Sequence, residues 1–582
     1  MHANSTQPMT KTRCEYPTSP AEQRTNTFFA FESAPGAFAN PFPGTTRLTV
    51  AAGDGLAAGI EVVAGPGAKV ETFRDATGGC CAYCWGRMAH PDIASKDLLQ
   101  WIAAAAGGHD ISQLRFLVGT FVVLIDDRKN RRVLMVSDII GIRPWFVGQH
   151  QGRLVCGSDV WEIQKAGIDM GGINYDAVAS WLRFIWDCSG QSLFKNFAEI
   201  GYGSLGRWEN GAYVEKKYFT LTGGLNQPTQ AELFDGIRQR VSRTFDAVTR
   251  DLTQISLPLS GGYDSRFMAA LAAKNKRLEV EAFCVRDREA EAIAATMVAE
   301  ALDLKLRVLE TDGTMWNMFA EPYHFTPGGF PITKQVSHLI ASQRPGVPLL
   351  SGFFGDPTVR GSQDRLHGLN ERQTTEELAV AYRRAFIINH RLARFDLIDE
   401  KIIARADERI LNLLRQRLAV WEYTGHAFLG VTLFFHQRYF MGNNVTQLLH
   451  VTDPIIPFAS WELIDYKMQN DPSLYDYTMY KNLLADSFPE IAHIPHNCQM
   501  GAKNESSPRR SDCTTGWAAA ALRAIMHKGN LSLLSRRKTL PRLLGSLAGR
   551  RDQEVLALFL YRLLLLENRL RQGGIMFDWN EI

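Results

Sequence analysis

The sequence contains no apolar run long enough to span a bilayer. The nearest, LALFLYRLLLL from Leu556 to Leu566, is short and carries Arg562, so a packed terminal helix is expected and a membrane partner is not. Cysteine is scarce: nine, irregularly spaced, in 582 residues. That excludes a disulfide framework and fits a reducing compartment. Neither sign of charge dominates, and the formal net charge of +3 gives no reason to expect a nucleic-acid partner. The first 25 residues are polar and lack the apolar core of a signal peptide. Residues 1–27 are therefore expected to form a mobile arm, and a cytoplasmic location follows by default. No internal repeat or low-complexity tract is present.

What is there is an ordinary globular composition, 45% hydrophobic and 21% charged, with length for two or three cores. Short apolar strands separated by Gly, Asp and Asn turns fill residues 28–220, among them GTFVVLIDD, RRVLMVSD and GRLVCGSD, with one helix near Lys96 to Ala105. The turn-rich LTGGLNQPTQ after Tyr218 reads as a linker. The period then changes. Thr229 and Glu232 form a capping-box pattern, and Leu233, Ile237, Val241, Phe245 and Val248 recur at helical spacing. Beyond it, strand, helix, strand, helix, strand through KLRVLE predicts a parallel sheet with crossover helices in a second domain, residues 229–508. Residues 509–582 read as a basic helical extension.

The strand ISLPL breaks into SGGYDS and an alanine-rich helix. In open parallel sheets, ligands bind where such a loop meets a helix N-terminus. Gly261 and Gly262 let backbone amides approach a phosphate, Ser260 and Ser265 add hydroxyls, and the helix presents its positive end. Asp264 by itself repels phosphate, which suggests Mg²⁺ between carboxylate and nucleotide. The alternative is a glycine turn capped for structural reasons alone. A second segment, LLSGFFGDPTVRG, enters Ser351 and Gly352 from a strand and places Asp356 four residues on, a second carboxylate for the same ion. CCAYCWG with Cys80, Cys81, Cys84 and His90 invites zinc, but two of the cysteines are adjacent and no second Cys-x-x-C pair exists; a strand with small buried thiols is favoured.

SGGYDS and SGFFGD together resemble the synthetase half of the asparagine synthetase family, an adenine nucleotide alpha hydrolase fold that uses ATP to adenylate a carboxylate and releases pyrophosphate. The resemblance implies ATP contacts from Pro258, Leu259, Ser260, Gly261, Gly262, Asp264, Ser265, Val285, Ser351 and Gly352. It implies Mg²⁺ on Asp264 and Asp356, and a role for Glu291 on the helix after the second strand. The first domain resembles the family's glutamine amidotransferase half, an αββα sandwich of the N-terminal nucleophile type, through GTFVVLIDD, Asp138, Gly141 and Pro144 in SDIIGIRPWFV, and VCGSDVWEI. The fold class expected is thus α/β, that sandwich followed by a parallel-sheet ATP-pyrophosphatase domain.

The sequence departs from the family's pattern in places that bear on the product. The glutaminase nucleophile is a cysteine at residue 2, where this chain has His2. Cys14 would need propeptide cleavage and lacks the glycine that follows the nucleophile. The oxyanion-hole segment appears as WGRMAH, with Trp85 in place of the first Asn. Both losses predict a domain that hydrolyses no glutamine. In the second ATP loop Phe353 stands where relatives carry Glu, Tyr or His, and it cannot move a proton. The transition-state lysine falls at Asn497 by strict spacing, with Lys503 and Lys481 as substitutes. The expectation is an ATP-dependent ligase that forms an amide through an acyl-adenylate. Without internal ammonia, the macrolactam cyclases of lasso peptides and the β-lactam synthetases are the branch most resembled. A small-molecule or peptide substrate is implied, with a precursor peptide and a leader protease as further partners. Two alternatives stay open: an asparagine synthetase or related amidating enzyme using ammonia, and a catalytically silent homologue acting as a binding protein.

Overall fold

The computed structural model describes residues 28–33, 46–49, 59–64, 70–150, 152–158, 160–165, 168–184, 186–286, 289–310, 340–341, 343–360, 374–386, 400–421, 427–449 and 452–496. The N-terminal arm with His2 and Cys14, the positions Asn497 and Lys503, and the C-terminal extension with Leu556 to Leu566 lie outside the described residues.

Strand Cys80–Ala89 shows how the first half is layered. Its alternate residues Cys81, Tyr83 and Trp85 pack with Val147, Leu154 and Cys156 of a second sheet, while Ala82 and Cys84 join the cluster of Leu98, Leu99, Ile102 and Ala106 from helix Ser95–Gly107. The two-residue period of a strand thus sends one face to a sheet and the other to a helix. In chain order the strands are β1 (Phe28–Ser33), β2 (Thr46–Thr49), β3 (Gly59–Ala64), β4 (Val70–Arg74), β5 (Cys80–Ala89), β6 (Val118–Asp127), β7 (Arg132–Ser137), β8 (Phe146–His150), β9 (Arg153–Gly157), β10 (Phe197–Glu199), β11 (Ser204–Glu209) and β12 (Ala212–Lys217). They form two antiparallel six-stranded sheets, ordered β10-β8-β9-β1-β3-β2 and β12-β11-β7-β6-β5-β4. Helix Tyr175–Phe184 contributes Val178, Trp181, Leu182 and Phe184 to the main core.

Helix Gln230–Thr249 opens the second half. Thr229 caps it: its hydroxyl accepts from the Glu232 amide at 3.4 Å and the Glu232 carboxylate accepts from the Thr229 amide at 2.8 Å. The strands β13 (Gln254–Pro258), β14 (Glu279–Arg286), β15 (Lys305–Glu310), β16 (Leu349–Leu350) and β17 (Pro454–Ile455) build a parallel sheet ordered β15-β14-β13-β16-β17. The chain runs outward from β13 through β14 to β15, then returns to the other side of β13. The order therefore reverses between β13 and β16, where a crevice opens beyond the strand ends.

The two halves are joined through buried cations. Arg143, 1% exposed, donates to the Thr120 carbonyl at 3.1 Å and to Asp453 at 2.8 Å. Arg438 donates to the carbonyls of Gly141 at 3.1 Å and Ile200 at 2.7 Å, with Glu199 at 3.4 Å. Gly141 has a φ of 68°, and a Cβ there would lie 2.9 Å from Tyr202 Cα and 3.0 Å from the Arg438 guanidinium. The position takes glycine for both reasons. Among the described residues no helix is long and apolar enough to cross a membrane.

Candidate active site

The loop after β13 is shaped by its own serines. Ser265 Oγ donates to the carbonyls of Ser260 or Gly262, each 3.1 Å away, and accepts from the Ser260 amide at 3.1 Å; Ser260 Oγ accepts from the Gly262 amide at 3.2 Å. These bonds fold Ser260–Gly262 into the start of helix Tyr263–Lys274, whose first-turn amides have no partners within the helix. Arg266, 1% exposed, fastens the loop from behind. Its guanidinium donates to the carbonyls of Gly261 at 3.1 Å, Ile494 at 2.6 Å and Pro495 at 2.6 Å. The SGG loop is thereby tied to the segment ending in His496, more than two hundred residues away in sequence.

The loop after β16 comes up against the same helix. A Cβ on Gly352 would stand 2.9 Å from the Asp264 backbone, and one on Gly355 would collide with the Asp264 carboxylate. Both glycines are needed for the close approach. Between them Phe354 takes a φ of 69°, a conformation that residues with a Cβ rarely hold. A π-helical turn, Asp356–Arg360, follows.

Together the loops enclose a cavity of about 470 Å³ lined by Pro258, Leu259, Ser260, Gly262, Asp264 and Ser265 from one side and by Ser351, Gly352, Phe353, Asp356 and Arg360 from the other. Tyr263, Tyr477, Tyr480, Gln437, Phe440 and His496 complete its lining. Burial first, and the nearby Asp356 carboxylate second, push the Asp264 carboxyl up to about 7, against the weaker pull of the Tyr480 phenol. Asp264 Oδ1 is buried and has no hydrogen-bond partner. A carboxylate oxygen desolvated beside a second carboxylate is costly unless something positive is to be bound there. Arg360 supplies one cation, 3.2 Å from Asp356 Oδ1. Tyr477 donates to Tyr263 at 3.2 Å, and the His496 ring meets Tyr263 edge-on, 4.9 Å between centroids. Burial, then Arg266 and Arg360, hold the His496 imidazole below the usual histidine range.

The structure thus brings the predicted loop residues other than Gly261, whose carbonyl accepts from Arg266, to one cavity with both predicted carboxylates. It does not bring in all the others. Val285, 4% exposed, sits in an apolar cluster with Phe283, Leu309, Ile340 and Leu448, with Phe353 packed on it. Glu291, half-buried on helix Glu289–Ala301, acts electrostatically on Cys284 and does not line the cavity. Lys481 is exposed on helix Tyr477–Ser487, whose Tyr477 and Tyr480 face the cavity instead. Lys481 is thus not among the groups that the structure brings to the cavity. Sequence reasoning missed Tyr263 and Arg360, which lie within the two quoted segments, and also Tyr477, Tyr480 and His496, which come to the loops only after folding. It also missed Lys467, 6% exposed on helix Trp461–Gln469, whose Nζ donates to the Pro357 carbonyl at 2.7 Å. Burial brings its ammonium down to about 7, against the upward pull of Asp356.

In the first half, Trp85 is 3% exposed and the Arg143 guanidinium lies 4.3 Å from its ring centroid. Cys81 and Cys84 are buried on β5, and burial raises the Cys84 thiol strongly. Among the described residues no cluster of three or more His, Cys, Asp or Glu side chains is arranged to hold a metal.

Comparison with known proteins matches the chain in two successive stretches. The family model for the glutamine amidotransferase domain matches residues 100–219, and that for asparagine synthase matches residues 236–564, more than half of the chain. A comparison with curated proteins finds no significant match. Among solved structures, the allosteric regulatory enzyme of purine biosynthesis is similar at 10% identity and a TM-score of 0.22, over 50% of this chain and 75% of that one. Glutamine phosphoribosylpyrophosphate amidotransferase from B. subtilis, complexed with ADP and GMP, is similar at 12% identity and a TM-score of 0.22, over 63% of this chain and 75% of that one. Neither structural likeness is close enough to bear on the site. The match over residues 236–564, on a parallel sheet whose switch point holds both glycine loops, decides the matter: the chain belongs to the asparagine synthase family and is an ATP-dependent ligase of that type.

Proposed function

We propose that this ligase adenylates a carboxylate and passes the acyl group to an amine already carried by the same substrate, closing a macrolactam on a lasso-type precursor peptide. The observation that carries the adenylation step is the single cavity shared by the two loops, with Asp264 Oδ1 buried and unpartnered beside Asp356. Two carboxylates fit Mg²⁺, which takes one or two protein oxygens and fills its remaining positions from phosphate and water. Asp264 and Asp356 would hold it, and when bound it would neutralise charge on the triphosphate.

The chain's own groups have separate tasks. The SGG loop and the first turn of helix Tyr263–Lys274 offer amides and hydroxyls to the phosphates, and Arg360 lies across the cavity as a cation for the departing pyrophosphate. A substrate carboxylate oxygen attacks the α-phosphorus, the bond to the bridging oxygen breaks, and pyrophosphate leaves. The amine nitrogen then attacks the acyl carbon, AMP departs, and the nitrogen sheds a proton. Phe353 cannot take that proton. An α-amine titrates near ~8 and is partly neutral beforehand, and the His496 imidazole, which burial holds below the usual histidine range, lines the same cavity.

The choice of an internal amine rests on the first half. Trp85 stands where the resembled family's oxyanion-hole segment begins with Asn, and it is packed beneath Arg143 rather than open to a ligand. The test is ATP–pyrophosphate exchange with candidate carboxylates, including peptides that have a free amino terminus and an internal Asp or Glu. Exchange with a peptide, AMP release and loss of one water from the peptide mass support the reading. Exchange with aspartate and asparagine formation from ammonium would assign the ammonia-using alternative. No exchange with any carboxylate, in wild type and Asp264→Ala alike, would make the chain a silent binding protein.

A further inference from the structure

The loop that carries Asp356 is held in a conformation that its own residues do not favour. Phe354 has a φ of 69°, Gly355 has no room for a side chain against Asp264, and the turn that follows is π-helical. Such a loop needs an outside restraint. The restraint comes from a helix belonging to neither ATP loop. Lys467 reaches from helix Trp461–Gln469 to the Pro357 carbonyl, 2.7 Å from Nζ, with the Tyr475 ring centroid 4.5 Å away on another side. Pro357 is the residue next to Asp356 and lines the cavity itself. A π-helical turn of five residues satisfies few of its own carbonyls, so this acceptor is open to a donor from outside. A lysine 6% exposed is uncommon, and a leucine or methionine would pack on the helix without the desolvation that an ammonium incurs. The contact with the Pro357 carbonyl is the feature for which an apolar residue is no substitute.

We propose that Lys467 is a positioning residue for the nucleotide's divalent cation: its ammonium fixes the Asp356 turn through the Pro357 carbonyl and so sets the Asp356 carboxylate against Asp264. This rests on the reading of those two carboxylates as the cation's protein ligands. Lys467 itself touches no reacting atom.

The full-length chain, its Lys467→Met variant and its Lys467→Arg variant would be titrated with Mn²⁺ in the presence of a non-hydrolysable ATP analogue. Free Mn²⁺ is read by electron paramagnetic resonance, and analogue affinity without metal is measured separately. Methionine keeps the length and volume and removes the donor. The Met variant is expected to lose about tenfold or more in Mn²⁺ affinity, as for other groups that orient a metal's ligands, with metal-free nucleotide affinity within about twofold and an unchanged or higher urea midpoint. The Arg variant keeps a charged donor and is expected to bind Mn²⁺ within about threefold of wild type. Wild-type Mn²⁺ affinity in the Met variant, or an equal loss of nucleotide and metal binding, overturns the role of Lys467. If the Met variant does not fold, the Arg variant decides: a folded Arg protein with a tenfold loss shows that the carbonyl contact does not place Asp356. If wild type binds the analogue but no Mn²⁺ with it, the two-carboxylate reading falls first, and the lysine's role with it.

Discussion

Replacing Arg266 by methionine is expected to weaken both the fold and the nucleotide site. The guanidinium is 1% exposed and donates to three carbonyls, those of Gly261, Ile494 and Pro495. Pro495 is exposed, so water can replace that bond, whereas Gly261 and Ile494 are buried. Each buried carbonyl left unpaired costs about 1 to 3 kcal/mol. Against this, methionine relieves the desolvation of a guanidinium whose Nε is buried without a partner, an offset of about 1 kcal/mol or more. The net loss is about 2 kcal/mol, a factor of roughly 30 in the folding equilibrium. The same substitution releases the Ile494–His496 segment from the SGG loop, so the KM for ATP is expected to rise about tenfold through lost preorganisation. Lysine does not rescue it, because one ammonium lacks the fork that reaches carbonyls in different directions. Urea denaturation followed by tryptophan fluorescence, together with the KM for ATP in pyrophosphate exchange, measures both effects. Stability within about 0.5 kcal/mol of wild type and an unchanged KM would refute the reasoning.

Asp264→Asn tests the electrostatics of the pair. The folded pKa of Asp264 is raised to about 7 from an ordinary 3.8. Ionising it therefore destabilises the nucleotide-free fold, a penalty absent below pH ~4, growing between ~4 and ~7, and complete above. In the absence of nucleotide and divalent cation the variant is expected to gain about 1 to 3 kcal/mol over wild type at pH 8 and nothing at the acid end, while losing pyrophosphate exchange. A gain independent of pH between 4 and 8 in urea titrations would contradict this. Gly355→Ala places a methyl group on the Asp264 carboxylate and is expected to lower exchange at least about tenfold, measured against an unchanged circular dichroism spectrum. Arg438→Met removes donors to Gly141 and Ile200 and leaves Glu199, 14% exposed, without its cation. A loss of about 3 kcal/mol and easier proteolysis between the two halves are expected, read by urea denaturation and limited trypsin digestion.

The sequence by itself determined the local chemistry. Short apolar runs closed by glycine or acidic residues named β6, β7 and β9, the Thr229–Glu232 pair marked a helix start that the structure caps as expected, and the strand-helix alternation set a parallel sheet. SGGYDS and SGFFGD were legible because a glycine turn between strand and helix with a neighbouring Asp carries its constraint within six residues. What only the tertiary structure decided is the company those loops keep. Lys481, named from the sequence, is exposed, whereas Lys467 and Arg266, which the sequence did not single out, are buried and donate to the carbonyls of Pro357, Ile494 and Pro495. A buried cation's role is fixed by the acceptor it meets, here Pro357, Ile494 or Pro495, more than one hundred residues away in sequence. No local pattern encodes that meeting, because it exists only once the sheet order has reversed between β13 and β16 and brought the segments together.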